Sequence, residues 1–247
     1  MSRPLENQVA IVTGASRGIG RAIASRLGRD GARVVQTARN QPAGEGAISL
    51  DLRLPESPAR LVEFALETFG RIDILVNNAG ATKRGGFLAL TDDDWMDGFA
   101  LKFFGAVRLT RAAWPHLKTR GGSVVHISGI GGRTPGREFA IGGSVNAALL
   151  SFTKALAELG IADGVQVNAI NPGTVRTDRF QGRLTRMVQE GAADFAEAER
   201  RFVKESGITR VGEPEDIADL VAYLVSPSGR FLQGSLIDID GGQTRTI

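Results

Sequence analysis

No cysteine occurs in the 247 residues, which excludes disulfides, thiolate nucleophiles and Cys-ligated zinc or iron–sulfur centres. Histidine is nearly as scarce, with only His116 and His126, so a His-rich metal site is not expected and no metal is assigned. Tyr223 is the only phenol in the chain. No apolar run approaches the ~18 residues of a membrane span, and the N-terminal MSRPLENQVAIVTG lacks the apolar stretch of a signal peptide. The expected setting is cytoplasmic, without a membrane partner. Blocks of like charge are missing too. The net charge is +3 against a pI near 9.7. With one Tyr and no Cys, few groups titrate between pH 7 and the lysine range, so a small cation surplus holds the pI high. Without a basic stripe interleaved with aromatics, nucleic acid is not an expected partner.

What is present is ordinary globular composition, 42% hydrophobic and 23% charged, on a length suited to one α/β domain spanning residues 1–247. Seven short β-branched or apolar runs read as strands: Val9–Thr13, Arg33–Thr37, Ala47–Leu50, Ile74–Val76, Ser123–Ile127, Val165–Ile170 and Leu236–Ile239. Segments of helical period lie between them, at Arg21–Arg29, Pro55–Phe69, Thr91–Leu117, Gly143–Gly160 and Pro214–Leu224. Alternation of this kind predicts βαβ units and a doubly wound parallel sheet flanked by helices. In the long helix, Trp95, Phe99, Phe103 and Val107 recur every four residues and are assigned to the core or a subunit interface. Residues 178–207 form a helical, mixed-charge stretch without a chemical signature, read as a substrate-lobe insertion.

Gly14, Gly18 and Gly20 fall directly after the first strand and open the first helix. That turn of a doubly wound sheet is where a pyrophosphate sits on a helix N-terminus, and glycine lets the backbone turn tightly and approach the phosphates. The segments Thr13-Gly-Ala-Ser-Arg-Gly-Ile-Gly20, Asn77-Asn-Ala-Gly80 and Asn171-Pro-Gly173 together resemble the short-chain dehydrogenase/reductases of ketoreductase type. Asp51 and Asp240-Gly241-Gly242 also fall where that family places them. The resemblance covers nearly the whole chain and implies a single-domain Rossmann fold, a carbonyl or alcohol as small-molecule ligand, and a homotetramer. It further implies a dinucleotide held by Gly14, Ser16, Arg17, Gly18, Ile19 and Gly20. Asp51 and Leu52 would flank the adenine, Asn78, Ala79 and Gly80 the adenosine ribose, and Pro172, Gly173, Val175 and Thr177 the nicotinamide. Asn77 is read as structural, tying neighbouring strands together. The second strand ends in Arg39 with no acid between Asp30 and Glu45. Arg17 and Arg39 can therefore converge on a 2′-phosphate, and NADP(H) is expected over NAD(H).

The reactive set that the resemblance calls for is Asn, Ser, and a Tyr with Lys four positions later. Aligning Asn146-Ala-Ala-Leu149 with the family's Lys-Ala-Ala-Leu puts Asn146 at the Lys and Gly142 at the Tyr. Gly129 then stands at the Ser, with Ser128 adjacent, and Lys102 stands at the Asn. Lys102 and Asn146 are thus exchanged, either as compensation across one pocket or by independent drift with Lys102 reaching to solvent. Strand alternation turns the Ser128 hydroxyl and His126 to the opposite face, as structural groups, and Ser144 is read as a cap or turn residue. Gly129-Ile-Gly-Gly132 and Gly142-Gly143 predict a wall free of side chains. Three readings follow: an NADP(H)-dependent oxidoreductase with nonstandard proton delivery through Lys102, Asn146 and Ser128, a catalytically silent nucleotide-binding sensor or partner subunit, and a non-redox enzyme on the same scaffold.

Overall fold

All seven apolar runs form strands in the computed structural model, which describes residues 3–40 and 44–245; the two ends of the expected 1–247 domain lie outside the described residues. The strands are β1 (Val9–Thr13), β2 (Arg33–Ala38), β3 (Ala47–Ser49), β4 (Ile74–Asn77), β5 (Ser123–Ile127), β6 (Gln166–Pro172) and β7 (Leu236–Ile239). Every pairing is parallel, in the order β3-β2-β1-β4-β5-β6-β7. The order reverses between β1 and β4, which opens a crevice at the carboxyl ends of those strands. β1, β4, β5 and β6 are buried along their whole length, as a sheet covered on both faces requires.

One face is covered by α1 (Gly18–Arg29) and α8 (Pro214–Val225), whose Ile23, Leu27, Ile217 and Val221 pack on Val12, Val76 and Ile170. The other is covered by α2 (Ser57–Phe69), α4 (Gly105–Lys118) and α5 (Ala140–Asp163), through Leu61, Leu109, Leu117 and Ala157 against Ile11, Leu75 and Val167. Burying each such Leu or Ile contributes about 1.5–3 kcal/mol. A third cluster, centred on Phe180, Leu184, Phe202 and Val211, joins α6 (Asp178–Gln189) to α7 (Phe195–Ser206). Residues 178–207 are thus a helical lobe with a small core of its own.

Helices depart from the sequence reading more than strands do. α1 starts at Gly18, inside the glycine turn, rather than at Arg21. The expected helix Thr91–Leu117 is three pieces: α3 (Asp92–Phe99), a π-helical turn Ala100–Phe104, and α4. In the π turn the Gly105 N–H donates to Ala100 O, adding a residue to one turn and rephasing the two helices, as happens at many functional sites. The core face of this run is Gly98, Ala106, Leu109, Ala113 and Leu117, whereas Trp95, Phe99, Phe103 and Val107 are only half-buried. α5 begins at Ala140, so Ser144 is an exposed residue of its second turn and caps nothing. By length and composition alone α5 could cross a membrane, a test that the core helices of folded domains also pass. Its Ile141, Val145, Leu149 and Thr153 are buried in this fold.

Candidate active site

The crevice is built first by backbone. Gly14 and Gly18 adopt φ of +66° and +53°, conformations in which a side chain is strained. A Cβ on Gly20 would overlap Gly14 O. The turn is held from β4: Thr13 Oγ1 accepts from Asn78 N and Ala79 N, both at 2.9 Å, and Asn78 Nδ2 donates to Thr13 O at 2.9 Å. Asn78 Nδ2 is thus committed to holding the turn. Asn77 is structural as expected, but it ties β4 to α4, through Thr110 Oγ1 at 3.0 Å, not strand to strand. The N-terminus of α1 has no side-chain cap and no acid in its first turn, leaving orphan N–H groups at Gly18, Ile19 and Gly20 facing the crevice. Thr177 closes the far side, its Cγ2 lying 3.3 Å from where a Gly18 Cβ would stand. Gly173 runs so close to Asp240 that a Cβ would come within 2.6 Å of its side chain. These residues fit a dinucleotide's pyrophosphate by a cradle that side chains would fill.

Just after β3, Asp51 is gripped by the Arg53 fork at 2.6–3.0 Å, and Arg53 also reaches Asp97 at 2.7 Å. The Arg53 hydrogen bonds hold the Asp51 carboxyl below its usual range, helped by Arg39 nearby. Leu52 is buried beside it. Arg17 does not converge with Arg39. It pairs with Asp178 at the start of α6, at 2.8 Å, with both side chains at least 75% exposed. Such an ion pair contributes little in water and yields readily to a better anion.

Beyond β4, the π turn points Lys102 into the crevice, where its stem lies against Gly80. Lys102 Nζ donates to Asn146 Oδ1 at 2.7 Å and to Ser128 O at 2.7 Å. The exchanged pair is in direct contact, and drift to solvent is not what Lys102 does. Burial, with a smaller contribution from Arg179, pushes its pKa down to about 7. Ser128 joins by its carbonyl. Its hydroxyl donates to Asn146 O at 3.1 Å and is spent within the fold. Because Asn146 Oδ1 is taken by Lys102, its Nδ2 faces Gly129, 3.0 Å from where a Cβ there would be. Gly129 has φ +155°.

The glycine wall is not open. The Phe139 ring covers it, occupying space that a Cβ on Gly142 or Gly131 would claim, and the Arg84 guanidinium stacks on that ring at 4.1 Å. Behind it, Gly132, Gly143, Ser144 and Ala147 line a cavity of about 430 Å³. Phe139 and Arg84 were missed in the sequence, although paired glycines one turn into α5 signalled room for a neighbour's ring. His126 is a packed strand histidine. Thr153 Oγ1 donates to Leu149 O at 2.7 Å, so His126 Nδ1 is the donor in its 2.9 Å bond to Thr153, and the buried ring stays neutral, its pKa pushed down to about 3. Tyr223 lies exposed on α8, which packs against α1 below the crevice, and takes no part. Among the described residues no cluster of His, Asp and Glu could hold a metal ion.

Residues 14–244 match the family model described as enoyl-(acyl carrier protein) reductase. The chain is 37% identical to an uncharacterized oxidoreductase of Mycobacterium tuberculosis, over 97% of this chain and 93% of that one. It is 32% identical to the 3-oxoacyl-(acyl-carrier-protein) reductase of Vibrio cholerae, over 96% and 98%. Among solved structures, L-sorbose reductase from Gluconobacter frateurii, complexed with NADPH and L-sorbose, superposes with a TM-score of 0.93 at 30% identity, covering 100% of both chains.

Proposed function

The chain belongs to the short-chain dehydrogenase/reductase family of oxidoreductases, and we propose that within it the protein is an NADP(H)-dependent enzyme interconverting a carbonyl and an alcohol, with Lys102 as its proton donor and acceptor. The observation that carries this reading is the Lys102–Asn146 bond at the base of the crevice. When bound, the dinucleotide supplies or accepts the hydride at its nicotinamide ring. Gly14, Ser16, Arg17, Gly18, Ile19 and Gly20 hold the phosphates, Pro172, Gly173, Val175 and Thr177 the nicotinamide end, and Arg39 the 2′-phosphate. Gly129 and Gly142 stand where the family's Ser and Tyr belong, so no hydroxyl meets the substrate there. Two of the three Lys102 protons are committed to Ser128 O and Asn146 Oδ1, which leaves the third for the substrate oxygen, and Asn146 Nδ2 beside Gly129 supplies a second donor to the same oxygen. A pKa near 7 lets that ammonium give up its proton at neutral pH. Support for NADP(H) comes from Arg39 at the end of β2 and from the NADPH complex of the sorbose reductase.

The test is turnover of NADPH with ketones and acyl thioesters. Some substrate should be reduced, with Lys102→Met lowering kcat about 10²- to 10⁴-fold, and an unaffected Lys102→Met removes Lys102 from the mechanism. The Phe139 ring lying over Gly142 favours a second reading, a silent NADP(H)-binding sensor or partner subunit. Binding of NADPH with no turnover across the panel would select it.

A further inference from the structure

Four arginines meet at the mouth of the crevice without carboxylate partners. Arg179, Arg183 and Arg186 share one face of α6, spaced by four and three residues, while Phe180, Leu184, Met187 and Val188 turn to the lobe core. Arg84 approaches from the segment after β4, over Phe139. Arg179 Nη2 crosses the crevice to Gly80 O at 2.9 Å, and Arg183 stacks on Phe202 at 4.4 Å. Among the described residues none of the four lies within ion-pair distance of an acid, although neighbouring Arg176 pairs with both Glu199 and Glu213. Arg84 feels Arg183, Arg179 and Arg186, and Arg183 feels Arg186. With burial as the first cause, these neighbours hold both guanidinium pKa values below the usual one, and the more distant Glu138 and Glu205 offset this only in part. Like charges one turn apart destabilise a helix, so a face carrying three of them against a fourth has a standing cost that a bound anion relieves.

We propose that the substrate carries a carboxylate or phosphate set apart from its carbonyl, and that Arg84, Arg183 and Arg186 receive it at the mouth of the crevice. This rests on the carbonyl/alcohol reading and names its substrate class. Arg179 lies deeper, spanning the crevice, and belongs with the cofactor's phosphates instead. Arg84 joins the two regions, because the ring it stacks on covers the glycine wall beside Asn146. The anion is then held within a few bonds of the reacting carbon.

The test is calorimetry on the NADP+-saturated protein, which cannot reduce the probes and whose cofactor phosphates cannot account for the signal. Matched probes are 6-oxoheptanoate against its methyl ester, and dihydroxyacetone phosphate against dihydroxyacetone. At least one anionic member should bind on the order of tenfold tighter than its neutral partner, the gain expected of a charge-assisted contact. The difference should vanish in the triple variant Arg84→Gln, Arg183→Gln, Arg186→Gln and persist in part in the Arg→Lys equivalent, with NADPH affinity unchanged in both. Equal binding within both pairs, no binding by any probe, or a preference that survives the Gln variant overturns the proposal. A matching loss of NADPH affinity in that variant also overturns it, by assigning the cluster to the cofactor. A preference found without turnover leaves the anion site standing and removes the reductase reading.

Discussion

A lysine amine is useful at neutral pH only where burial weakens its hold on the proton, and Lys102 meets that condition, with a pKa pushed down to about 7. The sign of the pH dependence follows. Carbonyl reduction uses the protonated form, so log kcat/KM should be level below pH 7 and fall above it, and alcohol oxidation should show the opposite limb. Lys102→Met should remove both limbs, and stopped assays across pH 5–9 check this. The same shift weakens the fold where Lys102 is charged, so wild-type stability relative to the variant should rise between pH 7 and 10.5. His126 gives a second titration. Burial alone pushes its pKa down to about 3 from 6.5, so stability is full above pH 6.5 and is lost as pH falls toward 3. His126→Phe, stacked in its place against Phe152, should flatten that acid limb in urea titrations. Motif spacing singled out Lys102 and Asn146 together, because both positions are fixed relative to recognisable neighbours, and the structure brings their side chains into contact. Phe139 was illegible for the converse reason. Its importance lies in two glycines it covers, and sequence shows an absent side chain without showing what fills the space.

At the scale of elements, the central strands β1, β4, β5 and β6 were legible because each is a continuous buried run, and the edge strands β3 and β7 because short apolar or β-branched runs stand out between turn residues. The π turn was not, since inserting one residue into a helical pattern leaves most of its apolar period intact. Glycines inside helices show how packing overrides local preference. Gly160→Ala in α5 should stabilise the helix by about 1 kcal/mol on propensity alone. A Cβ there would overlap Val165 O, however, and come within 2.9 Å of Gln233 Nε2. The backbone carbonyl cannot swing aside as a side chain can, so the expected outcome is destabilisation by about 1–3 kcal/mol, measured by urea unfolding. Gly142→Ala differs, because the obstruction is the Phe139 ring. Its cost should shrink markedly on adding Phe139→Ala, giving a coupling energy of about 0.5–3 kcal/mol in a double-mutant cycle.

For the whole molecule, large apolar groups stand in water at several places, and two of these suit pairing with a second copy. Met96 and Phe104 are exposed across α3 and the π turn, and Tyr223 on α8 and Phe231 in the segment leading to the half-buried edge strand β7 are exposed as well. We propose that each surface pairs with its own copy about a two-fold axis. Two independent isologous interfaces close on four chains, whereas one would stop at two. Light scattering should therefore report a tetramer. Charging one surface, by Phe104→Glu or by Phe231→Glu, should leave dimers, and the combined variant should give monomers. A wild-type monomer at micromolar concentration sinks the proposal, and a direct fall from tetramer to monomer on a single substitution would show that the two surfaces are not independent. The crevice makes the dimer species informative as well. Neither surface includes Lys102, Asn146 or the arginines of α6, so dimers should bind NADPH as the tetramer does, unless α3 and the π turn depend on their neighbour to hold Lys102 in place.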